Sequence, residues 1–361
     1  MKTHDIQNIF DNNDFVQLEN KTYHCTEDII VHKPIVLQGL ANTKLLFAPN
    51  KGLRFENAGK STVKRLKIIG IGGNDHGQLL GIGTNGNSCD KILFEQVDVV
   101  GGFRNLWIQK SLSLLFIRCT FKDATGPEGV KFAGGPDATH GVDNAEFLSC
   151  NFGSYANPHA NVMLMDGKAH GIKFMNCPFL FGRHGIVLDR SNANWSHPKA
   201  ISIIGGGFEN SYGNGLRLLH GDDVRLDTMY LSTDGMMDGI YMASSFAGRF
   251  KVANSTIRGN GRDGIRAVSG RLTVTGCDII NNGSKTTGDG IRLEPGARDF
   301  LVTGNFIGEG PDGINKQRYG LVNNVGSEHG WVYGNRFRGN IKAAFGGSKS
   351  NAAYVAGNQR A

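Results

Sequence analysis

The sequence lacks any apolar segment that could cross a membrane as a helix. No uninterrupted apolar run approaches the roughly 20 residues that span a bilayer. The N-terminal residues MKTHDIQNIFDNND also lack the apolar region of a signal peptide. These absences predict a protein without a membrane partner. They are compatible with three locations: the cytoplasm, a virion, or the extracellular space after export without a cleaved signal.

Nucleic-acid-binding motifs are also missing. The chain has 39 Lys and Arg residues against 32 Asp and Glu, a formal net charge of +7. The basic residues are dispersed without a run of five or more, and there is no zinc-finger or RNP-like motif. We therefore expect no nucleic-acid partner. The positive charge suits another acidic partner, such as a polyuronate or an anionic surface.

Proline is scarce, with nine residues, whereas glycine reaches 52. Glycine is not placed at every third position, which excludes collagen, and a hydrophobic content of 39% argues against disorder. At 361 residues the chain is long for one ordinary core, but a repeat protein escapes that limit because each unit packs on its neighbours.

A four-residue pattern recurs along the chain, in which a small or turn residue precedes an apolar, a variable and an apolar residue. Its spacing varies from 24 to 32 residues, and a second set of short apolar segments follows the same period, from CTF at 119 to NRF at 335. The first set reads NLWI at 105, GVKF at 129, NVML at 161, GIVL at 185, GLRL at 215, GIYM at 239, GIRA at 264, GIRL at 290 and GLVN at 320.

Two short strands in each period, joined by Gly, Asn or Asp turns, are typical of a β-solenoid. The LxxLxLxxN pattern of leucine-rich repeats is absent, and propeller blades are longer. We therefore predict an all-β protein, a right-handed parallel β-helix of roughly ten or more coils. It forms a single domain over residues 1–361, with a helical cap at 1–14, coils at 15–340 and a C-terminal cap or tail at 341–361. The i, i+3, i+4 spacing of Ile6, Ile9 and Phe10 predicts the cap helix.

Four cysteines share one position of the repeat. Cys119, Cys150 and Cys177 fall on consecutive periods, and Cys277 returns to the same place. Small apolar side chains stacked inside a solenoid have this pattern. We expect reduced thiols in an internal ladder rather than a disulfide framework.

The variable position of the repeat points out of the solenoid, because side chains alternate along a strand. The resulting outward column contains Arg54, Trp107, Lys131, Met163, Val187, Arg217, Tyr241, Arg266, Arg292 and Val322. Aromatic rings stack on pyranose rings and cations pair with carboxylates, so the column suits an acidic polysaccharide. The predicted substrate-binding residues are Trp107, Lys131, Arg217, His220, Tyr241 and Arg266.

A structural interpretation of the same charges stays open. An acidic residue precedes the outward cation by three positions in the pairs Glu128–Lys131, Asp263–Arg266 and Asp289–Arg292, so these residues can form surface ion pairs. Asp-Gly sequences are also common turn chemistry.

The histidines concentrate in one part of the chain, where the connections between strands are longer. Six of the eleven fall between positions 140 and 220, at His140, His159, His170, His184, His197 and His220. Long excursions from a regular scaffold are where binding and catalytic sites tend to lie.

The segments VQLENKTYHC and IIVHKPIVLQG resemble the N-terminal turn of the pectate-lyase-like β-helix superfamily, which includes polysaccharide lyases, epimerases and phage tailspikes. RHGI at 183–186 resembles the Arg-His-Gly-aromatic segment of mannuronan (alginate) epimerases, in which the histidine is part of the active site. Asp166 falls close to the aspartate that those enzymes carry one coil earlier. Their Asp-Pro-His-Glu segment has no counterpart, because VKFAGG stands in its place.

A second branch of the superfamily resembles the chain at HGDD, residues 220–223. These residues are similar to the paired aspartates of polygalacturonase-type hydrolases. The Asn-Thr-Asp, Gly-His-Gly and Arg-Ile-Lys segments of those hydrolases are missing. Their absence favours the resemblance to mannuronan epimerases over the resemblance to polygalacturonases.

The resemblance implies abstraction of the C5 proton of a uronate, which needs a cation, a base and an acid. His184 is the predicted acid or base, Arg183 a predicted carboxylate-neutralising cation, and Asp166 or Asp189 the group that orients the histidine or transfers a second proton. No cofactor is required, and the Cys and His spacing predicts no metal site. Asp189, Asp222 and Asp223 nevertheless offer oxygen ligands of the kind that calcium accepts.

Three functions fit these observations. The first is a polyuronate lyase or epimerase, with a glycoside hydrolase as the nearest enzymatic alternative. The second is a virion tailspike module that binds or hydrolyses host polysaccharide, for which we expect a homotrimer. The third is a non-catalytic adhesion solenoid.

Overall fold

The computed structural model describes most of the chain. The described residues are 3–74, 77–84, 88–133, 141–154, 160–165, 169–190, 197–311, 316–325, 330–348 and 354–360. They form one short helix followed by strands that all pair in parallel, in a solenoid of about 11 turns. The predicted all-β parallel β-helix is confirmed.

Helix α1 (Thr3–Asn12) caps the first coil, as predicted. Ile6 and Phe10 are buried, and Ile9 is half-buried. The side-chain amide of Gln7 donates to the carbonyl of Ile30 and accepts from its N–H, both at 2.8 Å. It thereby replaces the hydrogen bonds of a missing strand, which protects the open edge of the sheet.

The chain divides into two compact units. Unit 1 contains Met1–Pro178 and Arg190–Pro198, and unit 2 contains Phe179–Asp189 and Lys199–Ala361. The single domain over residues 1–361 stays a prediction.

Unit 1 is built from strands two to eleven residues long. They are β1 (Phe15–Gln17), β2 (Thr22–Cys25), β3 (Ile29–Val31), β4 (Val36–Gln38), β5 (Lys44–Phe47), β6 (Leu53–Phe55), β7 (Thr62–Gly72), β8 (Leu80–Ile82), β9 (Leu93–Gly102), β10 (Leu106–Ile108), β11 (Ser111–Ile117), β12 (Thr120–Lys122), β13 (Glu128–Ala133), β14 (Val142–Leu148), β15 (Asn151–Ser154), β16 (Ala160–Met165) and β17 (Ala169–His170), and β18 (Lys173–Phe181) follows and ends in unit 2.

The core of unit 1 contains a stack of phenylalanine rings from successive coils. Phe94, Phe116, Phe147 and Phe174 have ring centroids 4.8, 4.5 and 5.1 Å apart in that order. The repeat places the same residue type at the same position of each coil, so the rings stack along the solenoid. All six cysteines are free and buried, as the predicted reduced ladder requires.

Unit 2 continues the same pattern of short parallel strands. They are β19 (His184–Asp189), β20 (Lys199–Glu209), β21 (Leu216–Leu218), β22 (Asp222–Asp227), β23 (Tyr230–Ser232), β24 (Ile240–Met242), β25 (Arg249–Ala253), β26 (Thr256–Arg258), β27 (Ile265–Thr275), β28 (Asp278–Ile280), β29 (Ile291–Thr303), β30 (Phe306–Gly308), β31 (Tyr319–Asn323), β32 (Gly330–Tyr333), β33 (Arg336–Arg338), β34 (Ala343–Gly346), β35 (Tyr354–Ala356) and β36 (Gln359–Arg360).

The repeat has the predicted register in both units, but the prediction that Val187 and Val322 face the solvent is wrong, because both are only 3% exposed. The alternation of side chains along a strand sets their direction but not whether other residues cover them. In unit 1, Arg54, Gly81, Trp107, Lys131 and Met163 are successive partners across β6, β8, β10, β13 and β16. In unit 2 the successive partners across β19, β21, β24, β27, β29 and β31 are Val187, Arg217, Tyr241, Arg266, Arg292 and Val322.

Paired strands continue beyond residue 340, where the sequence predicts a cap or tail. β34, β35 and β36 pair in parallel with β31, β32 and β33. Strand pairing needs only backbone groups, and a column of asparagines adds hydrogen bonds between successive coils. Asn305 N–H donates to Asn335 Oδ1 at 3.0 Å, and Asn335 N–H donates to Asn358 Oδ1 at 2.9 Å. The apolar periodicity therefore fades before the pairing does.

Candidate functional site

His184 belongs to a buried polar ladder of unit 2. Residues at the same repeat position accept a backbone N–H from the next coil, and each is followed by a glycine and then an apolar strand residue. Asn214 N–H donates to His184 Nδ1 at 2.9 Å, and Asp289 N–H donates to Asp263 Oδ1 at 2.8 Å. Asp263 N–H likewise donates to Asp238 Oδ1 at 3.1 Å. The local sequence, polar residue then Gly then apolar residue, therefore gives His184 a structural role first.

This contact fixes the proton of the imidazole. Because Nδ1 accepts the N–H of Asn214, a neutral ring carries its hydrogen on Nε2. Burial, followed by the charges of Arg217 and Arg183, lowers the pKa of His184 to about 4. His184 is 5% exposed. Near neutral pH it is therefore an uncharged hydrogen-bond donor, and its one basic lone pair, on Nδ1, already accepts the N–H of Asn214.

Arg217 lies against this donor. Its Nη1 is 3.4 Å from His184 Nε2. Both atoms carry hydrogen, so they do not bond to each other, but an oxygen placed between them would accept from both. Among the described residues Arg217 has no carboxylate partner, whereas Arg266 pairs with Glu294 at 3.1 Å and Arg292 pairs with Asp263 at 3.0 Å. Among the described residues of unit 2, Arg217 is therefore the cation of the outward column that has no carboxylate partner.

The backbone around His184 leaves little room for a different side chain. A Cβ atom on Gly213 would lie 2.5 Å from His184 Cε1 and 2.6 Å from Nδ1. Glycine is required there because the imidazole packs directly on the chain of the next coil. The orientation of Nε2 towards Arg217 is thus set by packing as well as by the hydrogen bond.

A second histidine forms a carboxylate pair at the far end of the same strands. Asp189 ends β19, and His220 follows β21 by two residues; His220 Nδ1 lies 2.9 Å from Asp189 Oδ1. Both side chains are partly exposed. With Nδ1–H donating to the carboxylate, the lone pair of a neutral ring is on Nε2. The Asp189–His220 pair therefore presents a proton acceptor, which His184 does not.

The acidic residues of the ladder pair with arginines from neighbouring coils. Arg262 Nε donates to Asp238 at 2.7 Å, Arg318 Nε donates to Asp289 at 3.0 Å, and Arg292 contacts Asp289 as well as Asp263. Burial, followed by the negative charge of Asp238, raises the pKa of Asp263 to about 6.

The ion pairs predicted at three-residue spacing have mixed outcomes. Glu128–Lys131, at 3.6 Å, and Asp289–Arg292 are present. The predicted Asp263–Arg266 pair is wrong, because Asp263 binds Arg292 of the following coil. A long arginine side chain reaches the neighbouring rung about 4.8 Å away as easily as its own turn, so spacing along the chain does not select its partner.

In unit 1 the predicted binding residues Trp107 and Lys131 are in contact. Lys131 Nζ lies 5.6 Å from the Trp107 ring centroid, and the guanidinium carbon of Arg104 lies 5.2 Å from it. Arg104 was not predicted; it is buried and pairs with Glu128 at 2.8 Å. It precedes the repeat segment, so the periodic pattern gave no signal for it.

The remaining predicted residues have simpler positions. Arg183 is exposed beside His184, and Tyr241 is half-buried on the rung after Arg217. Asp222 pairs with Arg249 at 3.3 Å. Asp166, like His140 and His159, lies outside the described residues.

Metal ligands and membrane-spanning helices were sought across the described part of the chain. No three His, Cys, Asp or Glu side chains within it are grouped so as to hold a metal ion. Within the same residues, no helix has the length and apolar character needed to cross a bilayer.

Comparisons with known proteins agree on the fold. The family model described as "Right handed beta helix region" matches residues 184–359. Tailspike protein 3 of bacteriophage CBA120 superposes with a TM-score of 0.70 at 15% identity, over 99% of this chain and 58% of the tailspike. This chain therefore spans less than two thirds of that protein. No curated protein sequence matches the chain.

Two further solved structures cover nearly the whole chain. The A-module of the mannuronan C-5 epimerase AlgE6 from Azotobacter vinelandii has a TM-score of 0.61 at 17% identity, over 99% of this chain and 93% of the module. PfbA, a surface adhesin of Streptococcus pneumoniae, has a TM-score of 0.59 at 10% identity, over 95% of this chain and 89% of the adhesin. These similarities show that the chain has the fold of a right-handed parallel β-helix.

Proposed function

We propose that the chain acts on an acidic polysaccharide bound along the outward column of unit 2, by removing the C5 proton of a uronate residue. The observation that most supports this is the uncompensated guanidinium of Arg217 beside the N–H of neutral His184, on strands that also carry the Asp189–His220 pair. The similarity in fold to a mannuronan C-5 epimerase module adds support.

The carboxylate of the uronate binds between Arg217 and His184. One of its oxygens accepts hydrogen bonds from Arg217 Nη1 and His184 Nε2, which lie 3.4 Å apart. These donors draw negative charge from the carboxylate as the C5 proton leaves, and they stabilise the enediolate that forms. Because His184 is uncharged and held by Asn214, it needs no rearrangement to donate.

In this proposal His220 removes the proton, so the bound uronate must direct C5 from the Arg217 and His184 contact towards the end of β21 that His220 follows. Its Nε2 takes the proton from C5, and Asp189, bound to Nδ1, stabilises the imidazolium that results. This assignment moves the base from His184 to His220. The reason is the hydrogen-bonding pattern: Nδ1 of His184 is occupied and its Nε2 already carries hydrogen.

Two outcomes follow from the enediolate. If a proton is delivered to C5 from the opposite face, the sugar is epimerised; Tyr241, on the rung next to Arg217, has a hydroxyl suited to that donation. If the electron pair instead breaks the C4–O4 bond, a C4–C5 double bond forms, and the sugar linked through O4 leaves with a proton that the Tyr241 hydroxyl donates to O4. Both outcomes use the same base and carboxylate site.

The test is proton NMR of alginate, pectate, hyaluronan and bacterial capsules after incubation with the protein. Changed uronate ratios at constant chain length identify an epimerase, and unsaturated ends identify a lyase. The variant His220→Gln should lose turnover by at least about a hundredfold while still binding the glycan. His170→Gln is the matched control, since His170 forms a similar pair with Asp143 at 3.1 Å in unit 1. Equal activity of His220→Gln and wild type would refute the assignment.

A tailspike module that binds host polysaccharide is the second candidate. It is supported by the similarity to a phage tailspike over 99% of this chain. Under this alternative the protein is a homotrimer in solution, which light scattering measures directly. New saturated reducing ends would indicate a hydrolase, and binding without any turnover would favour an adhesion role.

A further inference from the structure

A positively charged pocket lies outside the candidate site of unit 2. It has a volume of about 730 Å³ and is formed by the loop at residues 283–287 together with Lys316, Arg318, Ile341 and Lys342. This volume is within the range of small-molecule sites in proteins. The pocket shares no residue with the Arg217, His184 and His220 arrangement.

The cations of the pocket are held by specific contacts. Asp289 binds Arg318 through two hydrogen bonds, Nε–Oδ1 at 3.0 Å and Nη2–Oδ2 at 2.9 Å, which leaves Nη1 for another acceptor. The Tyr319 ring centroid lies 5.1 Å from the guanidinium carbon of Arg318 and 6.0 Å from Lys342 Nζ. Lys316 Nζ donates to the carbonyl of Ser284 at 3.2 Å.

Arg318 is paired with Asp289, but the three lysines of the pocket have no carboxylate partner within the described part of the chain. No described carboxylate lies within ion-pair distance of Lys285, Lys316 or Lys342. Asp289, which pairs with Arg318 of the pocket, also pairs with Arg292. An anion entering the pocket would therefore meet several cations whose charges have no other partner.

The loop that forms one wall is fixed to the preceding coil. Gly283 N–H donates to the carbonyl of Asn260 at 2.9 Å, and Thr286 N–H donates to that of Gly261 at 3.0 Å. The hydroxyls of Ser284 and Thr286 also donate to carbonyls of that coil, at 2.8 and 3.1 Å. Their oxygen lone pairs remain able to accept hydrogen bonds from a ligand. The wall thus combines cations with fixed hydroxyl acceptors.

We propose that this pocket binds an acidic sugar unit by its oxyanion group. The lysines and Arg318 bind the anion, and the hydroxyls of Ser284 and Thr286 accept hydrogen bonds from hydroxyls of the sugar. Ile341, which is 63% exposed, contacts the C–H face of the sugar ring. Arg318 of the pocket and Arg292 of the outward column both pair with Asp289, so the pocket borders the outward column. The choice of a sugar as the carrier rests on the proposed function, and the anion is a carboxylate or a sulfate ester.

The test uses full-length protein with isoleucine methyl groups labelled for NMR, since Ile341 lies in the pocket. Sodium glucuronate, glucose 6-sulfate, inorganic phosphate and glucose are titrated separately. The Ile341 methyl signal should shift and saturate with glucuronate or glucose 6-sulfate, and the stronger of the two identifies the anion. Glucose should leave it unchanged. No saturable shift with either acidic sugar, or binding of inorganic phosphate alone, would overturn the proposal.

Paired variants separate the pocket from general electrostatic attraction. Lys285→Gln with Lys342→Gln should weaken the binding of the acidic sugar by about tenfold or more. Lys199→Gln with Lys251→Gln removes the same charge from exposed positions elsewhere in unit 2 and should leave binding unchanged. Equal weakening by both pairs would overturn a specific site. Turnover at His220 is measured separately, so failure of the pocket and failure of the proposed reaction are distinguishable.

Discussion

Acidification should weaken the fold through His184, and the variant His184→Gln isolates this effect. A glutamine offers Oε1 to the N–H of Asn214 and an N–H in place of Nε2–H, but it does not titrate. The folded-state pKa of His184 is lowered to about 4 from 6.5, so the unfolded chain binds the proton more readily. Stability from the neutral ring is present above pH 6.5 and is lost as the pH falls towards 4.

The size of the effect follows from the two pKa values. The interval from 6.5 to about 4, at about 1.4 kcal/mol for each pH unit, corresponds to about 3 kcal/mol of unfolding free energy. Asp263 acts in the opposite direction. Its pKa is raised to about 6, so the stability it contributes is present below pH 3.8 and is lost as the pH rises through 6. Because the two contributions oppose each other, the pH dependence of the unfolding free energy of wild type alone does not reveal either His184 or Asp263.

The assay is equilibrium urea unfolding of wild type and His184→Gln near pH 7 and near pH 4. The difference between the two proteins should change by about 3 kcal/mol in favour of the variant at the lower pH. Removing the titrating group with Asp263→Asn should have the opposite effect: relative to wild type, this variant should be less stable at the lower pH than at the higher pH. A difference between wild type and His184→Gln that is independent of pH would refute the neutral, donor-only assignment of His184.

Three further changes test the packing and the carboxylate site. Gly213→Ala places a Cβ 2.5 Å from the His184 ring and should lower the free energy of unfolding by about 1–3 kcal/mol, measured by urea unfolding. Phe147→Ala removes a ring stacked at 4.5 Å on Phe116 and should cost about 3–5 kcal/mol in the same assay. Arg217→Gln should lower kcat/KM on an active polyuronate by at least about a hundredfold, whereas Arg266→Gln, whose charge is already paired with Glu294, should lower it far less.

The outward column could be predicted from the sequence because side-chain direction alternates with a strict period of two. In parallel strands each residue of one coil lies beside one residue of the next, so aligning the repeats in the sequence also places Arg217, Tyr241 and Arg266 beside one another. The reduced cysteines followed in the same way. The fold is therefore encoded by local pattern, which is repeated in every coil.

The site could be predicted only in part, because its chemistry depends on contacts between coils. Asn214 lies 30 residues from His184, and nothing in RHGI shows that the N–H of Asn214 occupies Nδ1. The contact of His220 with Asp189 could not be predicted either, since the two residues lie 31 positions apart in the sequence. A sequence can place a histidine on a face of the solenoid, but the tautomer depends on the neighbouring rung.

Removal of the C5 proton of a polyuronate by His220 can be tested directly by exchange of that hydrogen for deuterium. Wild type and His220→Gln are incubated with alginate or pectate in heavy water, and the C5 proton signal is followed by NMR. Wild type should remove this signal from at least one substrate, with deuterium at C5 or a new C4–C5 double bond, and His220→Gln should not. Retention of the C5 proton with every polyuronate, or equal loss with His220→Gln, would contradict it.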